Sequence, residues 1–108
     1  MKKLGIIGGT SWNSTALYYD HINREIARRL GGLSSARLVL ESIDLAPYAA
    51  LQNSGDFEAA ERIMIDAGLA LRAAGAEAIV IASNTSNRFA TAVEQATGLP
   101  LLGIAEPT

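Results

Sequence analysis

Five small polar residues, Ser83-Asn84-Thr85-Ser86-Asn87, follow the apolar run from Ala78 to Ala82. Hydroxyl and carboxamide groups concentrated at the end of a buried strand offer donors and acceptors to a bound carboxylate; the same residue types also cap helices and build turns. A second polar segment, Gly8 to Ser14, follows the apolar run Leu4 to Ile7, and a third reaches Gln52 after Leu38-Val39-Leu40. In an open parallel sheet ligands bind outside the carboxyl ends of the strands, where strand-to-helix loops turn backbone N–H groups and helix N-termini toward one crevice. That arrangement suits a carboxylate or a phosphate. Gly5-Ile6-Ile7-Gly8-Gly9-Thr10 matches neither the G-x-G-x-x-G dinucleotide pattern nor a G-x-x-x-x-G-K-[ST] phosphate loop. Glycines that merely let a strand turn tightly into a helix explain it equally well. A nucleotide-binding domain keeps one supporting residue, Asp44, near the end of the second strand.

The elements that must position these segments follow from periodicity. Leu4 to Ile7 reads as a buried strand stopped by Gly8-Gly9. Leu17, Tyr18, Ile22, Ile26 and Leu30 recur at helical spacing opposite Asp20, Arg24, Glu25 and Arg28, so an amphipathic helix follows. Asn13 or Ser14 can cap its start, and Gly31-Gly32 ends it. Leu38-Val39-Leu40 with Ile43 predicts a second strand, followed by a loop around Pro47. Ser54 or Asp56 opens a helix whose inner stripe is Phe57, Ala60, Ile63, Met64, Ala67 and Leu71, closed by Gly75. Ala78-Ile79-Val80-Ile81 lacks alternation, as expected of a strand covered on both faces. A third helix runs from about Arg88 to Ala96, and Leu101 to Ile104 make a fourth strand. The expected fold is therefore α/β, a four-stranded parallel sheet flanked by helices in the order βαβαβαβ. A unit that stops just after its fourth strand reads as part of something larger.

Bulk properties narrow the function. The 108 residues make one domain, and 49% apolar content supplies a core. Nine basic and eleven acidic residues give a net charge of −2, and no strongly basic face marks a nucleic-acid partner. Arg24, Arg28 and Arg29 have the spacing of a solvated helix face; an anion site is the alternative. Cysteine is absent and His21 is the one histidine, so thiolate sites are excluded and no metal site is expected. His21 falls inside the first helix, away from every strand end. No apolar run approaches a bilayer span and the N-terminus turns to glycine too soon for a signal peptide, so a cytoplasmic protein without membrane association is expected.

Gly5-Ile6-Ile7-Gly8-Gly9-Thr10-Ser11-Trp12-Asn13-Ser14-Thr15, followed by Tyr18-Tyr19, resembles the opening of the aspartate/glutamate racemases. Arg29-Leu30-Gly31-Gly32-Leu33 with Ser35-Ala36, Ala74-Gly75-Ala76-Glu77 and the Ser83-Asn84-Thr85 loop are similar to that family as well, in order over all 108 residues. The resemblance implies that residues 1–108 form the N-terminal half of a pseudo-twofold, two-domain racemase fold whose C-terminal half is absent from this chain. It implies a small acidic amino acid or related carboxylate as substrate, neither pyridoxal phosphate nor metal, and a homo-oligomer, most simply a dimer. Two cysteines, one from each half, face opposite sides of the substrate Cα in this family. One removes the α-proton and the other returns a proton to the opposite face.

By the same resemblance Asn84 and Thr85 bind a substrate carboxylate, and Thr10, Ser11 and Gln52 line the pocket. Ser83 stands in the slot of the first cysteine, making it the catalytic candidate. Asn87 stands where a histidine is common and is expected to support the site from behind. A serine hydroxyl is a far weaker acid than a thiol of pKa ~8.5, and no base is placed beside it. Some relatives with a hydroxyl residue in this slot work from one face only. Impaired or one-sided racemisation, a carboxylate-binding module without turnover, and an inert half are the readings that remain.

Overall fold

A computed structural model describes residues 3–9, 12–82 and 89–102. The elements run β1 (Leu4–Gly8), α1 (Trp12–Leu30), β2 (Leu38–Ser42), α2 (Leu45–Asn53), α3 (Phe57–Ala73), β3 (Ala78–Ile81) and α4 (Ala90–Thr97). The sheet order is β2-β1-β3 with both pairings parallel: Leu4 lies opposite Leu38 on one side and Ala78 on the other. The first crossover steps from the centre to one edge; the second steps back across β1 to the other edge. Right-handed connections in opposite directions place their helices on opposite faces. Accordingly α1 covers one face, with Tyr18 and Ile22 on Ile6 and Val80. On the other face Tyr48, Met64, Leu71, Phe89 and Val93 pack with Ile7, Ile79 and Ile81.

The inner stripe expected for the helix after Asp56 is found in α3. Ala60, Met64, Ala67 and Leu71 are buried, Ile63 is half-buried, and Phe57 at the helix start is exposed. Asp56 caps it by accepting from the Ala59 amide at 3.2 Å, whereas Ser54 closes the preceding helix. The stripe continues through Gly68, which sequence periodicity passed over. A Cβ there would stand 2.9 Å from Val93 Cγ1 and 3.0 Å from Thr97 Cγ2, so glycine is what lets α4 lie directly against α3.

Four expectations are corrected. Among the described residues the sheet has three strands: Leu101 makes a single parallel bridge to Ile79, and the rest of the expected fourth strand, residues 103 and 104, lies outside them. The segment around Pro47 is the helix α2 and not a loop. Pro47 sits in its first turn, where a backbone N–H has no helical partner, so its missing donor costs nothing there. Asn13 and Ser14 lie inside the first turn of α1 and do not precede it. Finally, α4 begins at Ala90 and reaches Thr97, ended by left-handed Gly98. None of the helices among the described residues is long and apolar enough to cross a membrane.

Met64 is fully buried against this sheet face. Met64→Ala should lower unfolding free energy by about 2–5 kcal/mol in urea titration, against about 1 kcal/mol for removing the α3 cap with Asp56→Ala.

Candidate functional site

The carboxyl ends of β1 and β3 are tied together one residue beyond the strands. Ala82 N donates to Ile7 O at 2.9 Å, so the chain leaves β3 alongside Gly8. On the other side Ile43 N donates to Gly8 O at 2.8 Å, holding the exit of β2 against the same turn. Gly9 has a φ of 94°, and a Cβ on it would collide with the Ile43 carbonyl oxygen. A Cβ on Gly8 would stand 2.6 Å from Thr15 Cγ2. Thr15, buried in the first turn and a half of α1, accepts from Gly9 N through Oγ1 at 3.0 Å. The glycine pair is therefore required by close approach of β2 and α1, and Thr15 fixes where the chain departs toward residues 10 and 11. Its role was not legible from spacing: a hydroxyl inside a helix reads as neutral until the turn that it satisfies is known.

Thr10, Ser11, Ser83, Asn84, Thr85 and Asn87 lie outside the described residues. Their flanks do not. Gly9 and Trp12 bracket the first pair, and Ala82 and Phe89 bracket the others. Phe89, at the N-cap position of α4, makes no side-chain cap hydrogen bond. Gln52 is described and is corrected: it stands in the last turn of α2, half-buried, and not in a loop. Its Nε2 donates to the Tyr48 hydroxyl at 3.3 Å, and the Tyr48 ring meets Phe89 edge-on at 6.4 Å and 76°. Tyr48 thus links the helix that carries Gln52 to the residue that ends the Ser83–Arg88 segment. The sequence reading missed it, because it fell in the segment taken as a loop.

The remaining candidates have structural occupations. Asp44 accepts from Ala46 N at 3.2 Å as the cap of α2, which gives it a structural role. His21 lies with Leu4, Ile22, Glu25, Ile26 and Arg29 around a cavity beside the amino end of β1, opposite to the glycine turn. The arginine group is a solvated helix face: Arg24 pairs with Asp20 at 2.8 Å, and Arg28 and Arg29 pair with Glu25 at 2.8 and 3.5 Å. The Arg28 hydrogen bond is the main cause holding the Glu25 carboxyl below its ordinary range, and Glu25 in turn raises Arg28. Among the described residues no three His, Cys, Asp or Glu side chains gather into a metal site.

A three-stranded parallel sheet with helices on both faces defines an α/β protein. The chain belongs to the Asp/Glu/hydantoin racemase family, whose model matches residues 7–108. It is 47% identical to the protein in the crystal structure of "a putative Asp/Glu Racemase from Yersinia pestis", with a TM-score of 0.93 over 97% of this chain and 46% of that one. It is 36% identical to an aspartate racemase homologue from Pyrococcus horikoshii OT3, with a TM-score of 0.82 over 95% of this chain and 45% of that one. The chain spans a little under half the length of both.

Gly9→Ala forces an L-residue into the left-handed region, at about 1–2 kcal/mol, and drives its Cβ into the Ile43 backbone. The sum should exceed about 2 kcal/mol of unfolding free energy in chemical denaturation, and restoring glycine at that position alone should recover it.

Proposed function

We propose that this chain is the N-terminal half of a cofactor-independent amino-acid racemase of the aspartate/glutamate type, one-sided because serine occupies its proton-transfer slot. The observation that carries this reading is the family match over residues 7–108, read together with Ser83-Asn84-Thr85 directly beyond β3. Racemisation breaks the Cα–H bond, leaves the electron pair delocalised into the neighbouring carboxylate, and forms a new Cα–H bond on the opposite face. Nothing is consumed. The difficult step is the carbanion, so the carboxylate must be held by donors that strengthen as charge develops. Asn84 and Thr85 supply such donors. Thr10, Ser11 and Gln52 line the same pocket, and Asn87 supports it.

Ser83 holds a proton that it can donate but is not ionised at neutral pH without a base. Proton abstraction therefore belongs to a thiolate in a second α/β half, which the twofold greater length of the relatives supports. Substrates are small acidic amino acids or related carboxylates. The setting is cytoplasmic, and the assembly a homo-oligomer. Trp12, Tyr19 and Leu30 favour association: they recur along one stripe of α1 and are 71%, 52% and 62% exposed.

Proton NMR of the 108-residue chain in D₂O, with L- and D-aspartate and L- and D-glutamate added separately, tests the catalytic reading. Shifted protein resonances without loss of the substrate α-proton signal are expected. Loss of that signal, abolished by Ser83→Ala, would instead show that the serine works without a partner thiol. Unshifted resonances would remove the carboxylate site. Association is checked by sedimentation velocity: wild type should sediment as a concentration-dependent oligomer, and Tyr19→Lys with Leu30→Lys should shift it toward monomer.

A further inference from the structure

The sheet is covered unevenly: α2, α3 and α4 share one face, and among the described residues α1 stands alone on the other. Thr15, Tyr18 and Ile22 are the buried residues of α1. Beside them a second line runs the length of the helix at alternating four- and three-residue spacing: Trp12, Ala16, Tyr19, Asn23, Ile26 and Leu30. That is the spacing of a coiled-coil seam, and none of its members is charged. Trp12, Ala16, Tyr19 and Leu30 are exposed. The polar member, Asn23, is satisfied from within the chain: its Nδ2 donates to Tyr19 O at 3.0 Å, and its Oδ1 accepts from Ala36 N at 2.8 Å. Covering Asn23 therefore leaves neither end of its carboxamide without a partner.

The seam fits a second copy of itself reversed end for end. With the two helices fully overlapped, Trp12 faces Leu30, Ala16 faces Ile26 and Tyr19 faces Asn23, so large side chains meet smaller ones. Pairing in the same direction would set Trp12 on Trp12 and Ala16 on Ala16. Charge gives the same answer. Asp20 and Arg24, paired at 2.8 Å, lie at one margin of the seam on either side of its midpoint. Reversal brings Asp20 of one copy toward Arg24 of the other, where parallel pairing would oppose like charges. Trp12, Tyr19 and Leu30 leave on the order of 400 Å² of side chain uncovered per copy, about half of the ~800 Å² per partner of a standard interface. Ala16, Ile26 and the stems of Asp20 and Arg24 add to it. A second α/β half that shared the candidate site would sit at the carboxyl ends of the strands, where α1 begins. Leu30 lies roughly 27 Å further along the helix, toward the opposite end of the sheet.

We propose that α1 is a dimerisation element, and that two copies of this chain pair antiparallel along Trp12–Leu30 about a twofold axis between Tyr19 and Asn23. The inference rests on the homo-oligomer reading above and adds to it the surface, direction and register.

The chain has no cysteine, so introduced cysteines report the pairing directly. Ala16→Cys and Ile26→Cys are prepared separately, then oxidised under mild conditions alone and after mixing. Neither cysteine faces its own counterpart within ~7 Å in the antiparallel register, so the mixture should form linked dimers carrying one copy of each variant about fivefold more than either variant links to itself. Intact mass distinguishes the three products. Ile26 is half-buried, so the facing pair Trp12→Cys and Leu30→Cys, both at exposed positions, gives an independent comparison. Variants that link to themselves as readily as to each other would overturn the proposal. Absence of linkage in both pairs, with wild type still sedimenting as an oligomer, would also overturn it and place association on another surface. A wild type that is monomeric at every concentration would remove the homo-oligomer reading and this one with it.

Discussion

Everything in this domain depends on β1 having a parallel partner on each side. A strand enclosed in this way needs apolar cover above and below, and parallel neighbours can be reached only by long crossovers. The helices are those crossovers, so the demand for pairing and the demand for cover are met by the same residues. Ile6 and Ile7 point to opposite faces and are both fully buried, one beneath α1 and the other beneath α2, α3 and α4. Because all three strands run the same way, their carboxyl ends gather at one end of the sheet, and so do the segments that carry polar side chains. The site is a by-product of parallel pairing before it is a matter of particular residues.

The chemistry proposed for the family slot at Ser83 turns on a single exchange of sulfur for oxygen. A thiol lies within about two pK units of neutrality and can be tuned to a thiolate by a helix terminus or a neighbouring donor. A hydroxyl cannot be brought there by the same means. In the proposed reading the residues that follow Ser83 in sequence, Asn84 and Thr85, still offer small donors to a carboxylate. Binding and proton transfer make different demands, and on the proposed reading the serine bears on the second and not the first.

Elements with strong periodicity were legible in the sequence. The stripe from Ala60 to Leu71 announced α3, and the unbroken run Ala78 to Ile81 announced β3, because a face that must be buried repeats at the period of its own geometry. Helix α2 was not legible for the same reason in reverse. Leu45-Ala46-Pro47-Tyr48-Ala49-Ala50-Leu51 is apolar nearly throughout and contains a proline, so neither a polar face nor an uninterrupted run marked it. Losing α2 meant losing Tyr48 and placing Gln52 in a loop. Gly68 and Thr15 share another kind of invisibility: each matters for what approaches it from far along the chain, Val93 in one case and the Gly8–Gly9 turn in the other. The candidate residues of the site were named by type and by resemblance to a family, because no local pattern distinguishes a carboxylate clamp from a capping turn.

The base of the sheet is closed by a reciprocal clasp. Lys3 N donates to the Glu77 carboxylate at 2.9 Å, Glu77 N donates to Lys3 O at 2.9 Å, and Lys3 Nζ reaches the Ala74 carbonyl at 2.7 Å. These bonds join positions 74 and 71 residues apart. The strand at the centre of the sheet is thus the first to be synthesised and among the last to be completed, since its second partner is made only after two crossovers have been translated. Until then Leu4–Gly8 presents one open edge and an apolar surface to whatever surrounds the nascent chain. Central placement of the leading strand therefore ties the order of synthesis to a waiting period, in which the most buried segment of the finished domain is its most exposed liability.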